Sequence, residues 1–266
     1  MDIGAMFTDS FSYAQETLTG KWTRWAIFVL FALPFSLIQF VFDPKKFSAG
    51  AKPDFSAIPW GQIAILVGLG FILSFFLSGY IVRIYRGAKP APDFTGWASL
   101  FIDGVSLAIV WLLWVLPLIA VIIAEAAIGI ATYASTHPTG PNLTLIVLLC
   151  IFIVVDIALL VIIMLLGIIG AIRFARKGSI AEGIRVSEIL TTIRTMGWLP
   201  YVVAIVGYVV VAIVFAIISM ICSFIPYVGW VILLIVTPVF TVFTARYFTL
   251  VYDQGEPQQV PQAPVA

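Results

Sequence analysis

Apolar and polar positions alternate along the chain on two scales. On the long scale, six apolar runs reach or exceed the roughly 20 residues a helix needs to cross a bilayer. They predict spans at about Trp22–Phe42, Trp60–Val82, Val105–Ala131, Leu143–Ile172, Trp198–Phe224 and Tyr227–Leu250. The fourth is too long to cross upright, so it predicts tilt or an emergent cytoplasmic end. On the short scale, three stretches between runs carry the period of an amphipathic helix. In the first, Ile3, Phe7, Phe11, Ala14 and Leu18 share a face, with Asp9, Gln15 and Glu16 largely opposite. Ser179–Met196 opens on Ser179 and Glu182, spaced as a capping box. Its apolar stripe is Ile189, Ile193 and Met196, extended by Ile180 and Ile184, with Arg185, Glu188 and Thr192 on the polar side. The third, Ala91–Gly104, is shorter and is broken by Pro92 and Gly96.

The connections are less regular. Asp43–Pro59 is polar with three prolines and reads as an exposed loop. Tyr133–Asn142 is a short polar turn, and Ser223–Gly229 forces the last two spans into a tight hairpin. The tail from Gln254 to Ala266 is rich in Pro and Gln and reads as disordered. The expected organisation is therefore an amphipathic helix over 1–21, a six-span domain over 22–252 and a tail over 253–266. A Gly-Trp pair precedes three of the spans (at Gly96, Gly197 and, one residue apart, Gly20). Each such hairpin ends on arginine: Arg83 and Arg86, Arg173 and Arg176, or Arg246. The order suggests three repeated hairpins; ordinary anchoring of Trp and Arg at helix ends gives the same pattern.

Composition fixes the class. Hydrophobic residues make up 62% of the 266 positions and charged ones 10%, with mean hydropathy +1.13. An ordinary soluble domain carries about 25% charge, so this is an all-α integral membrane protein. A net charge of +1 gives no electrostatic case for nucleic acid. One histidine, His137, and two cysteines, Cys150 and Cys222, offer no raw material for a metal centre, and both thiols read as buried. No basic leader or small-residue cleavage site precedes the first span, so it reads as retained. Neither a cofactor nor a nucleophile–base arrangement is expected, which leaves a non-enzymatic protein.

Lysine and arginine set the expected topology. Eleven collect on one side (Lys21, Arg24, Arg83, Arg86, Lys89, Arg173, Arg176, Lys177, Arg185, Arg194, Arg246) against Lys45, Lys46 and Lys52 on the other. Both termini are therefore expected in the cytoplasm, with the amphipathic helices on that face of a cell membrane. Arg83, Arg86, Arg173, Arg176 and Lys177 are candidate headgroup ligands, or simply positive-inside residues.

Two carboxylates break the apolar spans. Asp156 sits among Phe152, Ile153, Leu159 and Leu160, none of which pairs with it, so its partner must come from another span or from water. An ionised carboxylate at mid-bilayer costs on the order of 3 kcal/mol. Glu125 is expected near the outer boundary of the third span. Asp156 lies about 13 residues into the fourth from the same side, roughly 20 Å along the helix. A close pair would share a proton or cation; otherwise Glu125 reaches the headgroups and Asp156 is a neutral acid bonding another helix. Pro34, Pro117, Pro200 and Pro238 interrupt spans, as in the unwound helices of transporters or as proline tolerated in a bundle. Two functions stay open: a scaffold that binds lipid, a second copy or another membrane protein, and a small channel or proton- or cation-coupled permease using Asp156, Glu125 and Tyr208.

Three segments carry a family likeness: YIVRIYRGAKPAPDFTGWASLFIDGV (Tyr80–Val105), IRFARKGSIAEGIRVSEILTTIRTMGWLPY (Ile172–Tyr201) and FIPYVGWVILLIVTPVFTVFTARYFTLVYD (Phe224–Asp253). An Arg-rich span end leads into a Pro-Asp-Phe stretch and then Asp-Gly, and an Ala-Arg-x-Gly-Ser turn leads into an amphipathic helix. In this order the chain resembles the archaeal membrane-protein family known as domain of unknown function 4013. The resemblance implies a multi-span helical architecture and an archaeal cell membrane, and it brings no activity, substrate or catalytic residue.

Overall fold

The computed structural model describes residues 2–42, 47, 55–136, 142–225 and 227–255. Most of the loop after the first span, His137, Lys45, Lys46, Lys52 and the tail beyond 255 lie outside the described residues. Among the described residues nine α-helices follow in order: α1 Ile3–Leu18, α2 Trp22–Val41, α3 Trp60–Tyr85, α4 Trp97–Thr136, α5 Leu143–Lys177, α6 Ile180–Ile184, α7 Val186–Met196, α8 Trp198–Ser223 and α9 Val228–Asp253. A 3-10 turn, Phe55–Ala57, precedes α3. Six of these, α2, α3, α4, α5, α8 and α9, are long and apolar enough to cross a membrane. Their mid-helix Ile, Val and Leu side chains are largely exposed. Water would not tolerate that surface and lipid does.

Local chemistry sets the ends. Asp2 Oδ1 caps α1 by accepting from Ala5 N at 3.0 Å, and Asn142 Oδ1 caps α5 by accepting from Thr144 N at 2.9 Å. Gly178 closes α5 in the left-handed conformation, φ +69°. Gly20, Gly96 and Gly197 also have positive φ, at +72°, +61° and +88°. Each immediately precedes a helix that opens on Trp, with Lys21 intervening in the first case. The three hairpins therefore share a backbone turn as well as a residue pattern. The prolines do not unwind the spans. Pro34, Pro117 and Pro238 sit inside continuous helices. Pro200 is in the first turn of α8, where no intrahelical donor is needed.

The chain divides into two compact units, one formed by Met1–Ser106 with Ile193–Ala266 and the other by Leu107–Thr192. In the first unit, α3 and the start of α4 approach to backbone contact. A Cβ at Gly79 would lie 1.8 Å from Leu100 O, and one at Gly104 1.7 Å from Phe75 O. Around this crossing, Tyr80 stacks on Phe94 at 4.4 Å while Phe28 meets both edge-on. On α8 and α9, Phe215 stacks on Phe240 at 4.1 Å, and Tyr247 Oη donates to Ala204 O at 2.8 Å.

Helix α1 packs on α9, and this corrects the expected face. Met6, Ser10, Tyr13, Ala14, Thr17 and Leu18 are buried, whereas Phe11 is 60% exposed. A protein surface admits small hydroxyls that bond their own helix. Ser10 Oγ donates to Met6 O at 2.7 Å, and Thr17 Oγ1 to Tyr13 O at 2.6 Å. The helix also reaches along the spans. Phe7 stacks on Tyr247 at 4.9 Å, and Ile3 and Phe7 lie against Gly207. Gly207 is nine residues into α8, roughly 14 Å from its start.

In the second unit, α4 and α5 pack closely where Gly167 meets Trp111 and Trp114. Trp114 Nε1 donates to Gly183 O at 3.0 Å, tying α6 to the pair. Three further expectations are corrected here or beside it. Residues 97–104 are not a separate amphipathic segment: the positive φ at Gly96 ends the preceding loop, and Trp97 opens α4. Ser179–Met196 is two helices, broken at Arg185, with Thr192 buried beside Ile189 and Ile193. Ser179 makes no side-chain cap: the Glu182 N–H donates to Ser179 O at 3.1 Å, and the Glu182 carboxylate is taken by Arg173. Both cysteines are free thiols, and Cys150 is exposed rather than buried.

Candidate functional site

Span-end arginines fasten the non-spanning segments. In the first unit, Arg24 on α2 pairs with Asp93 in the loop between α3 and α4. Hydrogen bonding from Arg24 holds the Asp93 carboxyl below its ordinary range. Arg83 donates to the same loop, to Asp93 O at 3.0 Å, Thr95 O at 2.7 Å and Ser99 Oγ at 3.1 Å. Arg86 makes a two-pronged pair with Asp103, both contacts 2.7 Å.

Arg246 on α9 is 2% exposed. Its Nε donates to Asp9 Oδ1 on α1 at 2.8 Å, and Lys89 Nζ donates to the other carboxylate oxygen at 3.0 Å. The guanidinium also sits 5.1 Å from the centre of the Tyr13 ring. Burial alone would raise the Asp9 pKa, but hydrogen bonds from Arg246 and Lys89 outweigh it and hold the carboxyl below its ordinary value. Sequence reasoning placed Asp9 on a polar face and Arg246 at a headgroup boundary. Their separation of 237 residues leaves no local signal of the pair.

The second unit repeats the device. Arg173 on α5 donates to Glu182 Oε2 at 3.0 and 2.6 Å and to Glu188 Oε2 at 3.3 Å. Arg185 pairs with Glu182 at 2.6 Å. The Arg173 hydrogen bonds hold Glu182 below the ordinary glutamate value. Arg176 and Lys177 occupy the last turn of α5. Of the five candidate headgroup ligands, Arg83, Arg86 and Arg173 direct donors at protein groups, and Arg176 and Lys177 interact within the protein as well. Arg173→Ala is expected to accelerate amide exchange across 180–184 and leave 150–165 unchanged; equal rates in 180–184 would show that the pair does not hold α6.

Both carboxylates belong to the second unit, one on each of its two spans. Helix α4 runs eleven residues past Glu125 to Thr136, so Glu125 lies well inside the helix rather than near its end. Asp156 is 13 residues into α5 from Leu143, which puts both at similar distances, roughly 16 and 20 Å, from the intervening turn. Asp156 Oδ1 is buried with no hydrogen-bond partner among the described residues. Tyr208, in the first unit, has its hydroxyl 3.4 Å from Thr244 Oγ1.

All-helical described segments with six candidate spans, apolar flanks facing outward and charges gathered at helix ends define a multi-pass membrane protein. The chain belongs to the family described as protein of unknown function (DUF4013), whose model matches residues 62–227. No curated protein and no solved structure matches it.

Proposed function

We propose that this protein is a non-enzymatic scaffold of the cell membrane, with both termini in the cytoplasm. It holds anionic lipid, a second copy or another membrane protein against its non-spanning helices. The carrying observation is the repeated clasp of an acidic group by a span-end arginine: Asp9 by Arg246, Asp93 by Arg24 and Glu182 by Arg173. Such clasps fix α1, the 88–96 loop and α6 as rigid presenting surfaces. Arg176 and Lys177, in the last turn of α5 just before α6, add cationic charge there, each contributing about 1 kcal/mol toward an anionic surface. Native mass spectrometry of the detergent-purified protein tests this. Wild type is expected to retain phosphatidylglycerol, and an Arg176→Gln/Lys177→Gln variant to lose most of it. Equal retention would remove the lipid-binding part of the reading.

A buried Asp156 Oδ1 with no hydrogen-bond partner among the described residues, at the level of Glu125 on α4, favours a second reading, a proton- or cation-coupled permease. Proteoliposomes carrying a trapped pH dye separate the two. A scaffold gives no proton flux, and Asp156→Asn leaves its melting and lipid retention unchanged. A permease gives flux that Asp156→Asn abolishes.

A further inference from the structure

At the end of the first unit away from the Arg246 clasp, the last turns of α2 and α8 and the first turn of α9 enclose a cavity of about 290 Å³ lined by Gln39, Phe40, Ser223, Tyr227, Trp230 and Leu233, with Ile225 at its edge. Three rings shape it. Phe40 stacks on Tyr227 at 5.9 Å with an interplanar angle of 5°, and meets Trp230 edge-on at 5.1 Å and 85°. No lining residue is charged.

The polarity of the walls is nonetheless two-sided. Gln39 and Phe40 end one helix and Ser223 ends another, so two helix C-termini bring partial negative charge to one side. The exposed faces of Phe40 and Tyr227 add the negative potential of aromatic π-clouds. On the other side, α9 opens at Val228 with the positive end of its dipole, and Trp230 Nε1 is buried without an acceptor among the described residues. Tyr227 stands at φ +60°, ψ −52°, a region an L-residue rarely occupies. Its ring is held against Phe40 at the expense of backbone strain.

We infer that this cavity binds a zwitterionic phosphate–methylammonium group. The methylated ammonium packs on Phe40 and Tyr227 beside the two C-termini, and a phosphate oxygen accepts from Trp230 Nε1 and the start of α9, with a small shift of the half-exposed Phe40 ring to admit it. This site is independent of the clasps and of Arg176 and Lys177. A membrane lipid headgroup and a free phosphocholine present the same chemistry.

Calorimetric titration of phosphocholine into maltoside-purified protein tests the site. Binding is expected, and 3,3-dimethylbutyl phosphate, which replaces the ammonium nitrogen with carbon, should bind roughly fivefold more weakly. Tyr227→Gly removes the ring while relieving φ, and Trp230→Phe removes the donor. Each should weaken phosphocholine by roughly fivefold or more, whereas Trp22→Phe, a distant exposed tryptophan, should not. Native mass spectrometry from mixed vesicles tells the sources apart. Phosphatidylcholine retained, and displaced by free phosphocholine, marks a lipid site; phosphocholine binding without lipid retention marks a solute site. Unchanged affinity in both variants, equal affinity for the carbon analogue, or no binding of either probe overturns the inference.

Discussion

Gly79→Ala and Gly104→Ala are expected to destabilise the protein by about 3 kcal/mol or more, at the upper end of what overpacking costs. The new methyl at either position meets backbone rather than a side chain. The nearest atoms are Leu100 O at 1.8 Å and Phe75 O at 1.7 Å, far inside contact distance. A side chain swings away; two helices must separate. Small residues at a membrane helix crossing permit this approach and the van der Waals contact it brings. The matched control is Gly68→Ala, where nothing lies within 4 Å. There the change should be neutral or gain up to about 1 kcal/mol of helix propensity. Melting in detergent, followed by the monodisperse fraction, reads all three. A Gly79→Ala protein that melts with wild type would mean that α3 and α4 do not cross at this spacing.

Asp9→Ala is expected to cost about 3 kcal/mol, the lower end for breaking a buried pair, because Arg246 is buried while the Asp9 side chain is 37% exposed. The damage comes from the buried cation left beside the Tyr13 ring without its carboxylate. An Asp9→Leu/Arg246→Met double variant should therefore recover most of the loss, and a double variant as poor as Asp9→Ala would locate the cost elsewhere. The pH dependence has a defined sign. The folded Asp9 pKa lies below the ordinary 3.8. Its contribution is therefore fully present well above that value and is lost as pH falls through the folded pKa. Exchange of the α1 amides should be indifferent to pH between neutrality and about 5 after correction for intrinsic rates, then rise steeply below about 4. Loss of α1 protection near pH 6 would contradict the Asp9 assignment.

The six spans were legible because a bilayer selects on length and apolarity, both of which are local. The helix starts at Trp22 and Trp198 were legible for a related reason, the Gly just before each, whereas the third span was read from Val105 and its helix opens at Trp97. What failed needed a partner. Counting apolar positions put Phe11 on the inner face of α1, whereas docking on α9 chose Ser10 and Thr17, hydroxyls that hydropathy counts as outward. Spacing made Glu182 a capping residue, and the tertiary Arg173 took its carboxylate instead. Glu125 and Asp156 fell between these cases. Each was conspicuous alone, but their common level depended on α4 continuing to Thr136, beyond the end of the apolar run.

The clasp between α1 and α9 also has a consequence in time. Asp9 leaves the ribosome 237 residues ahead of Arg246. At 5–20 residues per second, α1 waits on the order of ten to fifty seconds for its partner. Throughout that interval it is a helix without its α9 dock, its carboxylate reached at most by Lys89, while the spans behind it enter the membrane one by one. A helix made before all six spans is then among the last to settle, and a chain truncated before Arg246 leaves α1 without that clasp.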